Sequence, residues 1–69
     1  FRVIDGRGKF AVAGLWDMHA HLAALTPVGR APERYVGHGV LHVRDMGGFL
    51  DQLLPLRDDI RAGRRIGPD

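Results

Sequence analysis

The sequence predicts a small α/β fold built on parallel strands, and three observations carry that expectation. Residues 15–22, "LWDMHAHL", alternate apolar and polar side chains with the period of a strand. Residues 40–46, "VLHVRDM", make a second extended apolar segment that Gly47 and Gly48 close off. Helical signals follow each strand. Residues 33–37 read as the end of a short helix stopped by Gly37 or Gly39, and Leu50, Leu53, Leu54 and Ile60 recur at roughly helical spacing. Strand–helix–strand–helix order favours parallel construction. Two βα units cannot close a barrel or cover both faces of a sheet, so the expectation is a piece of a larger architecture.

Each element has its own reason. Residues 1–4 and 9–13 read as strands flanking "DGRG", whose Asp and Gly suit a turn, so a β-hairpin is expected over residues 1–13. Gly14 separates it from the first main strand. On that strand Trp16, Met18, Ala20 and Leu22 share one face, while Asp17, His19 and His21 share the other. Trp16 and Met18 are expected in a core against neighbouring helices. Residues 23–32, with two prolines and a glycine, read as a loop. Pro55 lacks an N–H and crowds the preceding turn, so the last helix is expected to start near it, after a turn over residues 49–54. Asp58 and Asp59 then fall early and Arg61 late, with Gly63 as the cap.

Composition narrows the function. The chain has 69 residues, 45% hydrophobic and 26% charged, which suits one small globular unit with a marginal core. Cysteine is absent, which removes disulfides and thiolate zinc sites. Arginine supplies nine of the ten basic residues, and net charge is +2. Arg61, Arg64 and Arg65 cluster, but they suit a helix C-terminus, and no aromatics interleave with them. A nucleic-acid partner is therefore not expected. No apolar run approaches the ~20 residues of a membrane helix, so no membrane partner is expected; "FRVIDG" lacks the layout of a signal peptide, and the compartment stays open with a weak lean to the cytoplasm.

The chemistry gathers at His19 and His21. Two imidazoles at i and i+2 on one strand face can reach a single ion, and neutral imidazole suits zinc, iron, nickel or copper. Spacing alone is weak evidence. The position adds to it, because sites in parallel α/β folds collect where strands end. Asp17 shares the face and is a candidate to orient a ligand or the strand end, against a plain structural role. Asp45 reads as a loop-fixing residue, His42 as a satisfied strand histidine, His38 as a loop residue, and Gly47-Gly48 as a tight turn.

"VIDGRGKFAVAGLWDMHAHL" resembles the N-terminal signature of the metal-dependent amidohydrolase superfamily, a "D-x-x-G-K" hairpin followed by a strand ending in Asp-x-His-x-His. "GVLHVRDMGG" is similar to that family's second-strand segment, and "LRDDIRAGRRIGPD" to its following helix and approach to the third strand. The resemblance runs in order over nearly the whole chain and is nearest to imidazolonepropionase-like and prolidase-like members. Ala13 stands where a proline is common, Leu41 and His42 where a Thr pair is common, and Asp69 where an Arg is common.

The resemblance implies the N-terminal fragment of a (β/α)8 TIM barrel. Residues 1–13 would be a β-hairpin of a small β-sandwich, and residues 14–69 the first two β/α units. His19 and His21 would be the first two metal ligands, for one or two divalent ions, zinc first. The remaining ligands and the catalytic carboxylate would come from later strands, so no catalytic residue is assigned here and the 69-residue chain alone is expected to be inactive. The complete enzyme would hydrolyse an amide or other C–N bond of a small-molecule or dipeptide-like substrate with metal-activated water. The alternative expectation is a non-catalytic α/β module that self-associates through open strand edges, holding a structural metal through His19 and His21.

Overall fold

Extended, alternating segments and apolar helical repeats give two strands and two helices in this computed structural model, which describes residues 1–23 and 29–69. Strand β1 spans Leu15–Ala20, helix α1 Ala31–Gly37, strand β2 Val40–Asp45 and helix α2 Leu50–Arg61. β1 and β2 pair in parallel, with Trp16 opposite His42 and Asp17 opposite Val43. The expected α/β class with parallel strands is therefore what forms. The loop expected over residues 23–32 falls partly outside the described residues, at 24–28, and Ala31 and Pro32 already belong to α1.

Asp69 pairs with the other edge of β2. The Asp69 N–H donates to the Leu41 carbonyl at 2.9 Å, and the Val43 N–H donates to the Asp69 carbonyl at 2.9 Å. Those two bonds flank His42 in the pattern of a parallel pair. The lateral order therefore follows chain order from β1 to β2 to Asp69, with a helix between each.

Both helices lie on one side. A Cβ added at Gly67 would come 2.5 Å from Ile60 Cδ1 of α2 and 2.9 Å from Pro32 Cβ of α1, so the two helices close on the same glycine. Ala20, Leu22, Ala23 and Leu56 are the buried apolar residues, joined by Pro32 and Pro68. A cavity of about 200 Å³ remains under α2, lined on its apolar side by Leu22, Val43, Leu53, Leu56, Ile60 and Pro68.

Four expectations change. The turn after Asp5 forms, with the Arg7 N–H donating to Asp5 Oδ1 at 3.1 Å, the Lys9 N–H to the Gly6 carbonyl at 3.0 Å, and Gly8 at a φ of 72°. No strand flanks it, so the hairpin over residues 1–13 is a turn with exposed arms. A lone two-stranded hairpin is marginal in water, and Phe1, Val3, Ile4, Phe10 and Val12 find no surface to cover them. Trp16 and Met18 are 63% and 52% exposed rather than in a core, because both helices sit elsewhere. Trp16 instead stacks on His42, ring centroids 4.4 Å apart.

Helix α2 starts at Leu50, not near Pro55. Phe49 begins it in an extended conformation, and its carbonyl accepts from both the Gln52 and Leu53 N–H groups. Pro55 lies in the second turn, where it removes one intrahelical bond; burial of Leu56 beside it opposes that cost. Asp58 and Asp59 consequently fall late in α2, the wrong end for the helix dipole. Arg57 pairs with Asp58 at 2.8 Å and Arg64 with Asp59 at 2.7 Å, which offsets that placement.

The caps behave as the glycines suggest. Gly39, at a φ of 82°, follows α1, and Gly63, at 70°, follows α2. At the latter, the Gly63 N–H donates to Ile60 and the Arg64 N–H to Asp59, which satisfies two carbonyls of the last turn. The clustered arginines are paired: Arg61 with Asp69 at 2.6 Å, Arg65 with Glu33 at 3.4 Å, and Arg65 also with the Gly29 carbonyl. The Arg61 guanidinium holds the Asp69 carboxyl below the usual carboxylate range. The carboxyl of Glu33 is lowered first by its own backbone N–H and then by Arg65. These pairs, exposed at Arg61–Asp69 and half-buried at Arg65–Glu33, fix where the chain after α2 lies more than they stabilise it.

Candidate metal centre

The two histidines sit where β1 leaves the sheet. His19 is in the last turn of the pleat and His21 is the first residue past the strand, which ends at Ala20 instead of Leu22. An irregularity in the ladder sets their position. Asp17 pairs with Val43 and Ala20 with Asp45, so Met18 and His19 face Arg44 alone, a two-against-one bulge. Such a bulge takes backbone groups off the ladder, and side chains replace the lost partners. The Arg44 Nε–H donates to the Met18 carbonyl at 3.0 Å, and the His19 N–H donates to Asp17 Oδ1 at 3.0 Å.

Asp17 therefore steadies the strand at His19 through the backbone. Among the described residues its carboxylate bonds this backbone N–H and not an imidazole nitrogen. The expected second-layer candidate acts on the strand end rather than on a ring.

The rings of His19 and His21 do come together, with centroids 5.2 Å apart and planes at 72°. His21 Nδ1 lies 3.1 Å from the Gly47 carbonyl oxygen. A carbonyl only accepts, so this bond places the proton on Nδ1 and leaves the Nε2 lone pair free. That is the arrangement a metal-ligating histidine commonly has, one ring nitrogen fixed by a carbonyl and the other open. Both residues are exposed, so an ion can reach them.

Comparison with protein-family models, with curated proteins and with solved structures gives no match.

The donor set fits a metal as half a centre. Among the described residues no group of three or more His, Cys, Asp or Glu side chains is placed to hold an ion. Catalytic zinc usually takes three protein ligands and a water. His42 is engaged with Trp16, and His38 caps α1 at the strands' opposite end. Neither joins the pair.

The part that residue types did not reveal is Gly47. A backbone carbonyl has no letter in the sequence, and "GG" after a strand reads only as a turn. Asp45 does take the loop-fixing role expected of it: Oδ2 accepts the Leu22 N–H at 2.8 Å and Oδ1 the Gly47 N–H at 3.0 Å.

Proposed function

We propose that this chain is the N-terminal part of a metal-dependent amidohydrolase, the first two β/α units of a (β/α)8 barrel. The convergence of His19 and His21 at the C-terminal end of a parallel strand, one inside its last turn of the pleat and one just past it, carries this reading. In such barrels functional groups stand at that end of the strands. The lateral order β1, β2, Asp69, with a helix between each and both helices on one side, is also how a singly wound barrel grows. Parallel sheets are normally covered on both faces. The exposed Trp16 and Met18 belong, on this reading, to surface that the rest of the barrel covers.

His19 and His21 would hold a divalent ion, zinc first, through their ring nitrogens. An ion held there would supply a lowered water pKa and carbonyl polarisation, the chemistry that C–N bond hydrolysis needs. Asp17 keeps the strand at His19 in place, and Gly47 keeps the His21 ring in its tautomer. The proton shuttle and the remaining ligands would come from later strands, so these residues bind and orient but do not complete turnover.

Isothermal titration of the 69-residue chain with zinc chloride tests this. One saturable site is expected, weakened in His19→Ala and in His21→Ala and lost in the double variant, while His38→Ala leaves it unchanged. Unchanged binding in a folded double variant overturns the assignment.

A further inference from the structure

Asp45 stands at the end of β2, yet both of its carboxylate oxygens are spent on the surroundings of His21. Oδ2 accepts the N–H of Leu22, the residue after His21, at 2.8 Å. Oδ1 accepts the N–H of Gly47 at 3.0 Å, and the Gly47 carbonyl is the partner of His21 Nδ1 at 3.1 Å. The Met46 N–H adds a bond to the Ala20 carbonyl at 2.9 Å. The chain after β1 and the chain after β2 are thus tied together around one imidazole. We infer that Asp45 is a positioning residue that holds the His21 ring in the Nδ1–H tautomer, with Nε2 open, by fixing Leu22 and Gly47 at once.

The chemistry supports a carboxylate at this position. An ionised carboxylate accepts through both oxygens and donates nothing, and two N–H groups face it. Asparagine keeps one acceptor and turns an NH₂ toward the other N–H. Alanine keeps neither. Bonds from an N–H to a charged carboxylate are roughly twice as strong as neutral ones, so the two together are suited to fixing a loop turn that has no ladder of its own. Nothing crowds Gly47 beyond ordinary contact: a Cβ there would lie 3.5 Å from His21 Cε1. The ring is therefore held by the hydrogen bond rather than wedged by the backbone. The consequence for metal binding rests on the reading proposed above, whereas the hydrogen bonds themselves do not.

The test is long-range ¹H–¹⁵N spectroscopy of the ring nitrogens in the 69-residue chain without metal, at a pH where the imidazoles are neutral, followed by titration with zinc chloride. Wild-type His21 is expected as the Nδ1–H tautomer. In Asp45→Ala it should move to the tautomer mixture of a free imidazole, with Asp45→Asn in between and the His42 ring signals unchanged. Zinc affinity should fall about 10–100-fold in Asp45→Ala, the range for loss of a ligand's supporting contacts. A folded Asp45→Ala that keeps His21 as Nδ1–H overturns the inference. Should that variant fail to fold, hydrogen exchange of the wild type decides: the Leu22 and Gly47 amides are expected to be protected, and exchange of both at unprotected rates overturns it equally. Failure of the wild-type chain to bind zinc counts against the hydrolase reading alone, because tautomer and amide protection are read without metal.

Discussion

Gly67→Ala should destabilise the chain by about 1–3 kcal/mol, the usual cost of forcing a methyl into filled space. The added Cβ would meet Ile60 Cδ1 at 2.5 Å and Pro32 Cβ at 2.9 Å. Ile60 can rotate its terminal methyl away. Pro32 cannot, because its ring is fully buried and its backbone is fixed near the start of α1. The helices must then separate or the segment leading to Asp69 must lift, and lifting breaks the two bonds between Asp69 and β2. Urea unfolding followed by circular dichroism measures the loss. A midpoint equal to that of the wild type would mean that α1 and α2 do not close on this glycine.

Leu56→Ala comes second, with an expected loss of about 2–3 kcal/mol, near the lower end of the range for truncating a buried leucine. Leu56 is the only large apolar side chain of α2 that is buried, and it borders the cavity of about 200 Å³ under that helix. Truncation enlarges a space that already exists, so less packing is lost than in a filled core. The effect still matters. A chain of this size is stabilised by only roughly 3–10 kcal/mol in total, so the variant should unfold over a visibly lower urea range. Full retention of stability would show that α2 is held by its ion pairs and cap rather than by Leu56.

The parts of the fold that were legible in the sequence are those set by local periodicity or by a single residue's geometry. Alternation along residues 15–22 and the apolar run at 40–46 became the strands Leu15–Ala20 and Val40–Asp45, and Gly39 and Gly63 end the helices with positive φ. What was not legible depended on partners. The arms of the Asp5 turn had strand-like composition and lacked a surface to pair with. Pro55 suggested a helix start, but Phe49 and the burial of Leu56 outweighed one missing hydrogen bond. At the candidate site, alternation put His19 and His21 on one face, but the strand ends at Ala20, before His21. The shift that places Met18 and His19 opposite Arg44 did not follow from alternation, because register between parallel strands is set by long-range contacts. The Gly47 carbonyl was invisible for the same reason: backbone groups are present at every residue, and only the folded chain selects one.

Ring-nitrogen spectroscopy of all four imidazoles during zinc titration most directly tests the claim that His19 and His21 grip one shared ion. The ring-nitrogen signals of His19 and His21 are expected to move together, over one concentration range and to a common endpoint, with His38 and His42 unmoved. Movement of only one of the pair, or binding led by His38 or His42, would contradict it.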